Sequence, residues 1–161
     1  MTAPVKILFD ECISDLAVKE IARVVEISYD GCEFKHIKEY QKQGIPDEQW
    51  VPEIAEEKCW IVVSGDRSKQ SKTSKSKYYK GEKLRTVCKQ HNVTLVELSQ
   101  KIHHLPTTQK VGVILSVWPD IMKVSKALLG SRHLIRFKGT KPGGPIIIQV
   151  DPPLLEIETE S

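Results

Sequence analysis

Two apolar runs constrain this chain most. Val5-Lys6-Ile7-Leu8-Phe9 and Trp60-Ile61-Val62-Val63 are apolar almost without alternation. A strand with one wet face alternates apolar and polar residues, whereas a strand covered on both faces does not. Runs of this kind, separated by helix-like stretches, predict a parallel sheet with helices on both sides. Each run also leads to an acid. Asp10 directly follows the first, and Asp66 follows the second after Ser64 and Gly65.

The intervening segments fit that plan. Ser14 is a suitable N-cap for a helix to about Val25, with Leu16, Ile21, Val24 and Val25 as its apolar face. Phe34 to Ile37 suits a short second strand. Gly44-Ile45-Pro46 breaks the chain, and Asp47 opens a second helix carrying Trp50, Ile54 and Ala55. Pro52 suits a first helical turn, so a kink or a late start is expected there. Lys83 to Gln90 fits a third helix and Val93 to Leu98 a fourth strand. Thr107 or Thr108 caps a helix through Trp118. Pro119 then starts another, stopped at Gly130. Leu134 to Phe137 and Ile146 to Val150 flank Lys141-Pro142-Gly143-Gly144 and read as a terminal hairpin. The expected architecture is a three-layer α/β/α domain with a central, mainly parallel sheet over residues 1–130. Residues 131–161 add a C-terminal β-hairpin and an acidic tail to the same domain.

A length of 161 residues suits one domain with a sizeable core. Its 40% hydrophobic and 28% charged residues are ordinary for a soluble globular protein, and a net charge of +3 selects no partner. The four cysteines, Cys12, Cys32, Cys59 and Cys88, form no CxxC pair, which argues against a zinc site. Cys12 and Cys59 lie in or beside apolar stretches, where buried free thiols are usual. No apolar run is long enough to span a bilayer, and the N-terminus lacks an apolar signal region. A reduced, cytoplasmic setting is the expectation.

Topology predicts that the acids meet. In successive β-α-β units, strand C-termini and the following helix N-termini share one edge, where ligands bind. Asp10 and Glu11 end the first strand, Asp47 and Glu48 start the helix after the second, and Asp66 ends the third. Carboxylates gathered at one edge repel each other, and a hard divalent cation, Mg²⁺ or Mn²⁺, relieves the repulsion. Bland readings stand beside this one. Asp47 also suits the positive end of a helix dipole. Asp66 in Ser64-Gly65-Asp66-Arg67 also suits a turn. Asp10 is harder to place otherwise, because an acid ending a buried strand is costly unless satisfied.

Four pieces of the chain resemble the PIN-like nuclease superfamily, particularly its short toxin-type branch. They are Lys6-Ile7-Leu8-Phe9-Asp10-Glu11 with Ser14-Asp15-Leu16, then Pro46-Asp47-Glu48, then Ala55-Glu56-Glu57, then Ile61-Val62-Val63-Ser64-Gly65-Asp66. Order and spacing agree over roughly the first hundred residues. The resemblance implies the α/β/α fold and metal-dependent cleavage of RNA, with Asp10, Asp47 and Asp66 as catalytic and metal-binding positions. That branch often carries a further acid two residues beyond the third-strand Asp. Ser68 stands there in this chain, able to hold a water but supplying no charge. Glu11 and Glu48 are neighbours able to support the site. A protein antitoxin partner is implied by analogy.

From Arg67 to Arg85 there are eight Lys or Arg and one acid, Glu82. This run either holds RNA phosphates beside the acids, with Arg67, Lys69 and Lys72 foremost and Tyr78 and Tyr79 stacking on bases, or is a solvated mobile loop. His103 and His104 read as a surface pair in a loop, and Trp50, Trp60 and Trp118 as packing residues. Two rival functions remain. One is a weak or inactive PIN-like module that binds nucleic acid or protein. The other is a phospho-receiver-like signalling domain, which would need a Lys after a fifth strand, whereas Lys110 falls at a helix start. The hairpin offers strand edges through which a homodimer could pair.

Overall fold

Both unalternating runs are strands covered on two sides. The computed structural model describes residues 5–10, 14–28, 32–37, 45–65, 80–127, 134–139 and 146–151. The elements in chain order are β1 (Val5–Phe9), α1 (Asp15–Ser28), β2 (Cys32–His36), α2 (Asp47–Ala55), β3 (Trp60–Gly65), α3 (Lys80–Gln90), β4 (Thr94–Leu98), α4 (Gln100–His103), α5 (Thr107–Ala127), β5 (Leu134–Gly139) and β6 (Ile146–Asp151). They form one six-stranded sheet in the order β2-β1-β3-β4-β5-β6. The first five strands are parallel, and β6 runs antiparallel to β5. The mainly parallel α/β fold and the C-terminal β-hairpin are both as the sequence predicts, and the hairpin continues the main sheet.

Strand alternation splits the core in two. Ile7, Phe9, Ile61, Val63, Val96 and Leu98 face α1, α4 and α5. Leu8, Val62 and Leu95 face α2 and α3. Every residue of β3 and β4 is buried. Trp50, Trp60 and Trp118 are core residues, as expected. Trp118 lies against Phe34, with ring centres 5.3 Å apart, and near Phe9 at 6.3 Å. Lys58 and Asn92 adopt left-handed backbone with φ of 55° each, reversing the chain just before β3 and β4.

Several local readings need correction. Ser14 does cap α1, its Oγ accepting the Ala17 N–H at 3.1 Å. The buried face, however, is Ala17, Val18, Ile21 and Val25, while Leu16 is 73% and Val24 47% exposed. Leu16 and Val24 each precede a stripe member by one residue, which rotates them about 100° away from the core. Helix α2 starts at Asp47, not late, and carries Pro52 in its interior. The carbonyl that Pro52 leaves without its helical N–H belongs to the exposed Glu48, within reach of water. Pro119 starts no new helix but lies inside the single helix α5. The apolar stripe Ile114, Val117, Trp118, Ile121 and Met122 runs through it. Burying Ile121 and Met122, at about 1.5–3 kcal/mol each, offsets an interior proline cost of about 3 kcal/mol. Gly130, the Lys141–Gly144 turn and the tail beyond Asp151 lie outside the described residues.

Candidate active site at the sheet switch point

Strand order fixes where a site can form. From β1 the chain passes to β2 on one side, then returns through α2 to β3 on the other. The connections diverge between β1 and β3, and the crevice they leave opens at the strands' C-terminal ends. Asp10 stands there. Its backbone N–H donates to the Val63 carbonyl at 3.0 Å, extending the β1–β3 ladder by one step. The Ser64 hydroxyl then donates to Asp10 Oδ2 at 3.0 Å. Ser64 is buried and Asp10 half-buried, so a side chain rooted in the sheet sets the orientation of the carboxylate.

The polar row continues across the sheet. Ser64 pairs in register with Glu97 on β4, on the face that α2 and α3 cover. Glu97 is only 3% exposed and is met by Arg85 of α3 through two hydrogen bonds. Arg85 Nε donates to Oε2 at 2.5 Å and Nη2 donates to Oε1 at 2.8 Å. Such a fork satisfies both carboxylate oxygens and fixes their plane. Asp47, in the first turn of α2, accepts the indole N–H of the buried Trp50 at 3.0 Å.

The buried thiol of Cys88 lies within electrostatic reach of three of these acids. Burial pushes it well above its ordinary value of 9.0, and the charges of Asp47, Asp10 and Glu97 push it further in the same direction. Three carboxylates from β1, α2 and β4 therefore act on one buried point of α3.

Asp10 and Asp47 thus stand at the same edge of the sheet, one after β1 and the other opening α2. Asp66, Arg67, Ser68, Lys69, Lys72 and Glu11 lie outside the described residues, as do Tyr78 and Tyr79. Glu48 is exposed in the first turn of α2. Arg85 needs reassignment: it closes the basic run of the sequence, but its guanidinium is committed to Glu97. Sequence reasoning passed over Glu97. The available signal was an acid inside the apolar strand Thr94–Leu98, which had to find a cation. His103 ends the short helix α4 rather than lying in a loop, and His104 is exposed. Among the described residues, Cys59 is a half-buried free thiol and Cys88 a buried one.

A hard divalent cation takes oxygen donors, which suits the carboxylates of Asp10 and Asp47. Among the described residues, no three His, Cys, Asp or Glu side chains converge closely enough to hold an ion. No helix among the described residues is long and apolar enough to cross a membrane.

Lys110 lies in α5, as expected, but Lys138 falls near the end of the fifth strand, the position a receiver domain would use. Sheet order alone therefore does not separate the two families. Comparison with known proteins does. No curated protein and no solved structure matches the chain. Residues 5–91, just over half of the chain, match the family described as PIN like domain, a span that runs from β1 through α3 and contains Asp10, Asp47 and Asp66. The chain belongs to the PIN-like domain family, a nuclease superfamily whose members typically use divalent metals.

Proposed function

We propose that the protein is an Mg²⁺- or Mn²⁺-dependent endoribonuclease with Asp10, Asp47 and Asp66 as its catalytic and metal-binding residues. The observation that carries this reading is Asp10 at the switch point, its carboxylate fixed by Ser64, with Asp47 acting on the same buried thiol. When bound, the cation supplies positive charge against the phosphodiester and acidifies the attacking water. The chain's own residues do the rest. Ser64 holds Asp10 Oδ2, and the Trp50 indole holds Asp47 Oδ1, so both carboxylates are oriented before any ligand arrives. Arg67, Lys69 and Lys72 hold backbone phosphates in this reading, with Glu11, Glu48 and Ser68 in support. A toxin role with a protein antitoxin follows from the family's toxin-type branch by analogy.

The test compares the parent protein with Asp10→Asn on single-stranded RNA, with and without Mn²⁺. Cleavage by the parent alone, and only with Mn²⁺, is the expected result. Equal cleavage by both removes the proposal.

A second reading, a non-catalytic binding module on the same fold, is favoured by the serine at position 68 and by the use of an Asp47 oxygen in a structural hydrogen bond. Failure to bind millimolar Mg²⁺ or Mn²⁺ would select it.

A further inference from the structure

The sheet ends differently on its two sides. β2 closes one side, where Lys35 and Glu33 pair at 3.7 Å with both side chains reaching solvent. Charges on an outer strand discourage a further strand from adding to it. β6 closes the other side and reads Ile-Ile-Ile-Gln-Val-Asp, with no charge before its last residue, Asp151. Among the described residues, no strand pairs with the outer side of β6, where alternate backbone N–H and C=O groups point. Apolar cover also thins towards this side. Phe137 of β5 is fully buried, whereas its register partner Ile148 is 37% exposed. Beside it, Gln149 is exposed and Val150 half-buried. Three large apolar residues are exposed among the described residues; Leu16 and Val24 belong to α1, and Ile148 alone stands on an outer strand.

We propose that β6 is the docking strand for a second copy of this chain, the two strands pairing antiparallel about a two-fold axis at Ile148 so that the sheets join. A second copy fits this strand by symmetry and by charge. Antiparallel neighbours pair residues that point to the same face, so the axis passes between two copies of one residue. With Ile148 on the axis, residues 146, 147 and 148 stand opposite 150, 149 and 148 of the copy. Five residues on each side then pair without a charge, and Asp151 falls opposite Pro145, beyond the strand. Moving the axis to Gln149 sets Asp151 opposite Ile147, and Ile146 opposite Pro152, which has no N–H to give. The axis stands perpendicular to the sheet, so the parallel strands of the two copies run in opposite directions. Nine strand steps separate β1 from its counterpart, roughly 43 Å at about 4.8 Å each. The two candidate sites therefore open at opposite edges of the joined sheet, each built by one chain alone. The charged outer strand β2 stops further addition, so assembly closes at two. The pairing needs no cation and is independent of the metal-dependent reading above.

One strand pair buries less than the about 1,200 Å² at which stable interfaces begin, so the dimer forms in a concentration-dependent way. The experiment follows sedimentation of the full chain without divalent cations, from micromolar to millimolar concentration. It uses the parent, Ile148→Lys and Ile148→Glu, each checked for folding by circular dichroism. The parent is expected to pass from monomer to dimer. Each variant sets like charges opposite each other across the axis and is expected to raise the dissociation constant about tenfold or more. Mixing the two variants is expected to restore the dimer, since opposite charges then meet. Ile148→Cys tests the register and serves also if the charged variants fail to fold. Directly opposed residues have Cα atoms about 4.5–5.5 Å apart, within reach of a disulfide. Ile148→Cys is therefore expected to cross-link in air faster than Gln149→Cys or the parent. A parent that stays monomeric at millimolar concentration overturns the proposal, whatever else covers the strand. A dimer that both charged variants leave intact overturns it as well, because its interface lies elsewhere. Faster cross-linking of Gln149→Cys than of Ile148→Cys removes the axis at Ile148.

Discussion

The Arg85–Glu97 pair makes an asymmetric prediction about stability that needs no ligand. In Arg85→Gln, a carboxylate that is 3% exposed loses the fork that satisfied both of its oxygens. Breaking a buried ion pair from one side costs about 3–5 kcal/mol, because the remaining charge is left uncompensated. The Arg85 side chain is 20% exposed, so water is near and this case falls at the low end. A loss of about 3 kcal/mol follows, or roughly 6–12 °C in Tm for a chain of this size. In Glu97→Gln the stranded group is the guanidinium. Its long stem lets the charge extend towards water, and the new amide still accepts one hydrogen bond. The cost there is about 1 kcal/mol, roughly 2–4 °C. Urea denaturation at neutral pH, with thermal melts in parallel, measures both. A loss in Glu97→Gln equal to or larger than that in Arg85→Gln would refute the view that the buried carboxylate is the vulnerable partner.

Two further perturbations separate the site from the scaffold. Ser64→Ala removes the hydroxyl that orients Asp10 Oδ2. Hydrogen bonds to charged groups contribute about 1.5–3 kcal/mol, but the half-buried Asp10 regains part of this from water, so Mn²⁺ affinity should fall about three- to tenfold. An unchanged Mn²⁺ titration would deny Ser64 that role. Cys88 carries a pH dependence of definite sign. Below the thiol's ordinary value of 9.0, folded and unfolded chains both hold the proton. Above it the unfolded chain releases the proton while the buried thiol retains it, so stability falls as pH rises, by up to about 1.4 kcal/mol per pH unit. This decline continues until the raised folded value is reached. Cys88→Ala should flatten the alkaline limb of the stability–pH curve relative to the parent, and parallel limbs would show that the thiol does not contribute.

The sequence by itself determined the class of fold and the shared edge of two acids of the candidate site. Unalternating apolar runs at Val5–Phe9 and Trp60–Val63 can be satisfied only between two layers, which forces helices onto both faces of a parallel sheet. Once that is fixed, an acid directly after β1 and another opening α2 must share an edge, because βα connections permit nothing else. The match to the PIN-like family spans the same segment, residues 5–91. Tertiary structure decided what depends on pairing across the sheet. That Ser64 would meet Asp10, 54 residues earlier, requires the β1–β3 register. That Glu97 and Arg85 would bind each other, rather than solvent and RNA, requires α3 to lie over β4. The helix that runs through Pro119, and the exposure of Leu16 and Val24, were likewise settled by which face a neighbouring element buries. Local propensity is summed along the chain, whereas partner choice is a contest among groups distant in sequence. Only the folded geometry says which of them come within a hydrogen bond's reach.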